Sequence, residues 1–466
     1  MKNSSFLLAA LALLLATVST TYSQQGRQSN PEQSGQLGAQ DPGPRGDPLG
    51  AGQLLPGVTS AQAVDMLARF TETETFPGGL GPRYNSGPNG ACSECHAQPA
   101  VGGSSPSPTA YPYIGPNPQA AVDFNADGAT NSIPSFITPN GPVREARFIN
   151  FPDGTADGGV HDLFTVAGRS DASTCQLAQP NFAQELAAGN VIFRTPLAVF
   201  GDGLIENIDD ATILANAAAN SQQKQQLGIS GHANFTPGPN RSGNTGTITK
   251  FGWKAQNPSL LMFAGEAYAV EVGVTNELFT TKRPSPGEIL PASCKITATP
   301  DDTSNPTLAG VQVLSDIEEF AAFMRDLAPP TPAPPTPQTL QGQQVFNQIG
   351  CALCHTPSMT TAKSSELAAL SQVQANLFSD LIVHHMGTGL ADGITQGSAG
   401  PDEFRTTPLW GVGQRVYFLH DGRTSDMQQA ILAHASSGSE ANGVISQYYK
   451  LTPSQRQNLL NFLRSL

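Results

Sequence analysis

The chain is 466 residues long with a net charge of -13 at pH 7, which removes the basic footprint that binding to nucleic acid or an anionic membrane needs and leaves basic protein surfaces as complementary partners. Charged residues make up only 13% of it, while 47 residues are glycine and 38 proline. That balance disfavours regular amphipathic bundles and predicts long ordered loops wrapped around something other than protein, in a fold expected from its capped segments to be mainly α.

The N-terminus, MKNSSFLLAALALLLATVSTTYSQ, places Lys2 before an apolar run from Phe6 to Val18, with small residues near Ser23. This is the pattern of a secretory signal peptide over residues 1–23, and the run is short for a membrane span. It predicts export to the periplasm, with membrane attachment only if the segment stays uncleaved. Residues 24–58, rich in Gln, Gly, Pro and Ser, lack apolar periodicity and read as a disordered leader.

The stretch GACSECHAQP holds Cys92, Cys95 and His96, and the pattern returns in GCALCHTPS with Cys351, Cys354 and His355. At this spacing two thiols can add to the vinyl groups of a haem while the histidine supplies the proximal nitrogen to iron. A structural zinc site would bring its cysteine pairs within about 15–20 residues of each other and leave both histidines unexplained. A thioredoxin-like dithiol would need a βαβ unit around it. Two covalently bound haem c groups are therefore expected. Cys175 and Cys294 remain, and in an oxidising compartment they are expected to pair.

DFNADG, from Asp123 to Gly128, resembles the opening of a calcium loop, although Pro134 stands where a full EF-hand places its bidentate Glu; the alternative is an Asx turn. SDIEEFAAFMRDL, from Ser315, and TPSQRQNLLNFLRSL, from Thr452, each open on a capping box, Ser315 with Glu318 and Thr452 with Gln455, and carry apolar residues at helical spacing. Between them APPTPAPPTPQT, from Ala328, is an extended, semi-rigid linker. FRTPLAVFG, from Phe193, matches FRTTPLWGVG, from Phe404; after them come FGWKAQNPSLLMFAGEAYAVEVG and FLHDGRTSDMQQAILAHASSG. The order of features repeats, which predicts an N-terminal haem domain over 59–327 with insertions, a linker over 328–338 and a C-terminal haem domain over 339–466.

These stretches, together with GPRYNSGPNGACSECHAQP, FGDGLIENI, GQQVFNQIGCALCHTP and GPDEFRTTPLWG, resemble the di-haem c-type oxidoreductases. That family is related to the bacterial di-haem cytochrome c peroxidases and to the tryptophan-modifying di-haem enzyme of methylamine dehydrogenase maturation, and includes a subgroup known as thiol oxidoreductases. The resemblance spans most of residues 76–466. It implies two cytochrome c-like haem domains, one haem relaying electrons and the other open to hydrogen peroxide or another small oxidant, with a tryptophan between them and a small redox protein such as a cytochrome c as electron partner.

Carried over residue by residue, the resemblance implies His434 as the sixth ligand opposite His355, where the peroxidases tend to use Met; Met386, Met427 and His384 are the alternatives. No His or Met follows His96 within 60 residues, so either His161 ligates the first iron or that iron is open. Glu271 resembles the acidic residue over the open haem, suited to general acid-base work, with Glu206 as its competitor. Trp253 matches the inter-haem tryptophan, and His420, Asp421 and Arg423 resemble groups that orient a ligand or pair haem propionates. A non-enzymatic di-haem electron carrier, and an oxidase of a sulfur or protein substrate, are the rival functions.

Overall fold

A computed structural model of the chain describes residues 37–46, 49–106, 117–235, 248–294, 300–304 and 314–466. The signal-peptide segment lies outside the described residues. Among the described residues helices dominate, and the strands form four two-stranded antiparallel ribbons. No helix among the described residues is long and apolar enough to cross a membrane.

The two capped segments are helices, Asp316–Asp326 and Pro453–Ser465; the second has both hydrogen bonds of its capping box in place, and at the first Ser315 N–H donates to the Glu318 carboxylate at 3.1 Å. In the first half, Asp316–Asp326 packs Phe320 and Phe323 against Phe70 at the end of the Ser60–Phe70 helix. In the second half, Phe462 of Pro453–Ser465 packs against Phe346 of the Pro337–Ile349 helix. These two helices cross at Gly342, where a Cβ would come within 2.0 Å of the Asn458 carbonyl oxygen, so only glycine allows the approach. Each half thus presents one phenylalanine to its CxxCH histidine: Phe70 lies 6.2 Å from the His96 ring and Phe346 6.4 Å from the His355 ring.

Two of the ribbons repeat the FRT correspondence. Glu145–Phe148 pairs with Val191–Arg194, setting Glu145 opposite Arg194, and Val383–His385 pairs with Glu403–Arg405, setting Val383 opposite Arg405. The register extends further. Phe251 bridges Asn257 in the first half and Phe418 bridges Thr424 in the second. The same shift carries the helix cap Ser259 onto the cap Asp426, Trp253 onto His420, and Ala267 onto His434.

Two expectations need correction. The leader is not disordered from residue 37 onward: Asp41 pairs with Arg464 at 2.6 Å, Arg45 donates to the Ser465 carbonyl, and Leu55 N–H donates to Asp326 O at 2.7 Å. Composition missed this because the segment packs with a few residues, Ala39, Ala51 and Leu55, which are too sparse to make a periodic pattern. The Pro-rich linker is pinned along the same leader, through Ala328 to Gln53 and Thr331 to Leu49, and its last two residues already belong to the Pro337–Ile349 helix. Proline at the first helical position costs no hydrogen bond, which explains the early start. The calcium-like stretch takes the alternative form: Asp123 accepts from Asn125 N–H in an Asx turn that caps the one-turn helix Phe124–Asp127. Cys175 and Cys294 form a disulfide, as expected.

Candidate functional site

The first CxxCH sits on a single helical turn, Cys92–Cys95, and the second on a tight turn, Cys351–Leu353; none of the four cysteines is disulfide-bonded. Each motif opens into its own cavity. Cys92, Cys95 and His96 line one, with Glu145, Arg147, Arg194, Trp253, Ala267 and Glu271 in its walls. Cys351, Cys354 and His355 line the other with His434, and its walls draw on both halves, including Phe200, Asp202 and Trp253. Trp253 is therefore a wall of both cavities. It is buried, and its indole N–H donates to Thr195 O at 2.8 Å.

The three histidines expected on iron share one local device. Nδ1 of His96 lies 3.2 Å from Gly103 O, Nδ1 of His355 3.0 Å from Phe378 O, and Nδ1 of His434 2.8 Å from Ala430 O. A carbonyl only accepts, so Nδ1 carries the proton in each ring and Nε2 is left as a neutral lone pair, which is the form that binds metal. Burial pushes all three below the usual histidine range, His355 to about 4, with His434 near enough to push it further.

Of the alternatives to His434, Met386 and Met427 also line the second cavity. His384 lines it too but does not serve as a ligand. Its Nε2 lies 2.9 Å from Asp380 and its Nδ1 2.8 Å from Glu440, so both ring nitrogens donate to carboxylates and no lone pair remains. Gly231 packs on this ring, and a Cβ there would approach it to 2.3 Å. In the first cavity His96 is the lining histidine. His161 is absent from that wall; it stacks on Phe148 at 3.7 Å and is held by Asp157 at 2.8 Å. Met324 lines the cavity from the Asp316–Asp326 helix that carries Phe320.

The carboxyls separate as sharply. Glu206 lines neither cavity; one oxygen accepts from Leu260 N–H at 2.8 Å at the start of the Leu260–Ala267 helix and the other meets Arg325 at 2.8 Å. Glu271 enters the first cavity from a π-helical turn, Tyr268–Val272, that extends the same helix. Such a turn inserts an extra residue and re-aims the side chains beyond it. Burial drives the Glu271 carboxyl well above its usual range, with Glu145, to which it is hydrogen-bonded, and Asp162 adding to the effect.

A haem brings two propionates, and arginines with buried, unpartnered nitrogens line both cavities. Arg405 and Arg415 line the second, are pushed down to about 10 by burial, and leave Nε and Nη2 respectively without a partner. Arg144 and Arg194 line the first, each with an unpartnered buried Nε. Orphaned guanidinium nitrogens beside a CxxCH cavity fit a haem in each. Arg423, expected for this role, is turned onto Asp421 at 2.7 Å and Gly389 O, while His420 lines the second cavity, stacked on Phe404 at 4.4 Å. Sequence reasoning missed the four arginines, although two of them, Arg194 and Arg405, occupy the same place in the FRT repeat.

A family model described as "Di-haem oxidoreductase, putative peroxidase" matches residues 144–466. That stretch holds the second CxxCH, Trp253, Glu271 and His434; the first CxxCH precedes it. Comparison with curated proteins gives no match. Among solved structures the chain is similar to the hydrazine synthase of Kuenenia stuttgartiensis, at 19% identity and a TM-score of 0.22, covering 33% of this chain and 57% of that one. It is also similar to the diheme peroxidase BthA of Burkholderia thailandensis, at 15% identity and a TM-score of 0.28, covering 47% of this chain and 65% of that one. The chain thus spans less than two thirds of either.

Proposed function

Because this chain belongs to the di-haem oxidoreductase family, we propose that it is a periplasmic, peroxidase-like enzyme that reduces hydrogen peroxide at its N-terminal haem with electrons received at its C-terminal haem. Residues 59–327 and 339–466 act as the two cytochrome c-like haem domains, and residues 1–23 direct export. Cys92 and Cys95 hold one haem and Cys351 and Cys354 the other through thioethers, with His96 on the first iron and His355 and His434 on the second. Bound haem supplies the iron and the store of electrons that peroxide reduction needs.

The chain's own residues supply the rest. Glu271 gives its proton to the peroxide oxygen that departs and takes one from the other, so that peroxide, two electrons and two further protons leave as two waters. Trp253, fixed by Thr195, fills the wall between the cavities. Arg144, Arg194, Arg405 and Arg415 anchor propionates. A small redox protein such as a c-type cytochrome delivers the electrons, in keeping with the acidic net charge.

One observation carries this reading: where the second cavity receives His434, the first receives Ala267 with the Glu271 carboxyl one turn on. The test is the EPR spectrum of the oxidised holoprotein followed by a peroxide pulse in the presence of reduced cytochrome c. One high-spin and one low-spin ferric signal, with cytochrome oxidised, is the expected result. Two low-spin signals and no peroxide consumption would assign the chain to electron carriage.

A further inference from the structure

Glu145 opens a strand whose partner is the strand ending in Arg194, and Arg147 lies two residues on, hence on the same face. The Glu145 carboxylate bonds Arg147 and reaches across to the Glu271 carboxyl on the π-helical turn, so that two partly buried carboxyls are in hydrogen-bond contact in the wall of the N-terminal cavity. Two carboxyls in such contact cannot both be ionised. The charges around them fix which one is. Arg147 and Arg194 stand on the Glu145 side, and Arg194 is itself paired with Asp392 at 2.7 Å. Asp162, paired with Arg283, stands on the Glu271 side, and Glu266, on the helix leading into the turn, is held by Asn257. Arg283 also acts on Glu271, but after Glu145 and Asp162, whereas Arg147 and Arg194 are the first charges to act on Glu145.

We propose that Glu145 and Glu271 form one carboxyl dyad sharing a single proton, in which Glu145 is the ionised positioning residue that keeps the proton on Glu271 and aims it into the N-terminal haem cavity. The proposal rests on the N-terminal haem being the peroxide site. Burial would raise Glu145, but Arg147 and Arg194 outweigh it and hold the group below the usual carboxyl range, while Glu271 is driven the other way. The acid is therefore loaded before peroxide arrives, and the proton that Glu271 lends to the departing oxygen is the one it later regains from the substrate, with Glu145 unchanged in charge throughout. Titration belongs to the pair and not to either residue alone.

Fluoride is the probe, because as an iron-bound anion it needs a hydrogen-bond donor beside it and its affinity reports whether Glu271 holds its proton. In the wild-type holoprotein, fluoride affinity followed optically should be flat at low pH and fall about tenfold per pH unit above a break. Glu271→Gln removes the break. Glu145→Gln moves it down by at least about one pH unit, as loss of the neighbouring negative charge frees Arg147 to favour ionised Glu271, and Glu145→Asp restores it. Haem content and the C-terminal low-spin signal stay as in wild type. Should the Gln variant not fold, a pH-jump infrared difference spectrum of the wild type decides: one protonated carboxyl band must titrate at the same break. Fluoride binding with an unmoved break, or no such band, overturns the dyad alone. No fluoride binding in any variant overturns the open N-terminal haem and the dyad with it.

Discussion

Ala267 and His434 stand at the same place in the two halves of the chain, each at the end of a helix that follows a matching Phe bridge and a matching cap. The side chain of His434 reaches the second cavity with its Nε2 lone pair free; Ala267 lines the first with a methyl group. A methyl cannot ligate iron, and the difference gives the first prediction. In the holoprotein, His434→Ala should remove one low-spin EPR species and leave the N-terminal signal as it was. Ala267→His should do the reverse, converting the high-spin N-terminal signal to low-spin. An unchanged low-spin signal in His434→Ala would move the ligand to Met386 or Met427.

Attachment and pairing of the cysteines are separable. Thioether bonds survive denaturation and axial bonds do not, so mass spectrometry of the unfolded polypeptide should show two haems. Cys175→Ser with Cys294→Ser should leave that count at two and lower unfolding stability by about 2–5 kcal/mol, the usual effect of losing a native disulfide. Fewer than two haems in the wild type would dismiss covalent attachment at one motif.

The His384 cluster gives a pH dependence. Burial would raise Glu440, but His384 and the Ser230 donors outweigh it and hold the carboxyl at about 2. A carboxyl depressed on folding contributes stability that is complete above its unfolded value, near 4.5, and is lost as pH falls through the folded value. Wild-type melting temperature should therefore drop between pH 5 and pH 2, and Glu440→Gln should flatten that limb while lowering the plateau above it. Parallel curves for the two proteins would assign the acid limb elsewhere.

What could be read from the sequence was what local pattern determines. The CxxCH motifs, the capped helices and the two leftover cysteines each carry their meaning in spacing or in number, whereas Trp253 and His434 were placed by the resemblance to the di-haem family. Glu145, Arg144 and Arg415 were not legible, because a lone charged residue looks the same in a buried wall as on a solvated face, and only long-range packing separates the two. Arg405 was within reach, since FRT occurs twice at matching places. Glu206 and Glu271 could not be ranked from sequence for the same reason: one accepts the first N–H of a helix and the other is re-aimed by a π-helical turn that no periodicity announces.

That pair of acids supplies the last prediction. Glu271→Gln keeps the amide in place of the carboxyl but removes the exchangeable proton, so peroxide-driven cytochrome oxidation should slow by roughly 10²- to 10⁴-fold, the range for losing a general acid-base group, with both haems retained. Glu206→Gln should act through the fold: Arg325 loses its buried counter-charge, costing roughly 3 kcal/mol of stability while turnover per folded molecule stays near wild type. Trp253→Phe should differ from both, because the phenyl ring keeps an apolar wall but loses the hydrogen bond to Thr195. Fluoride should still bind at the N-terminal haem, while rapid-mixing spectra show slower exchange of electrons between the two haems. Wild-type activity in Glu271→Gln together with loss of activity in Glu206→Gln would place the acid-base work outside the N-terminal cavity, and the assignment of Glu271 would fall with it.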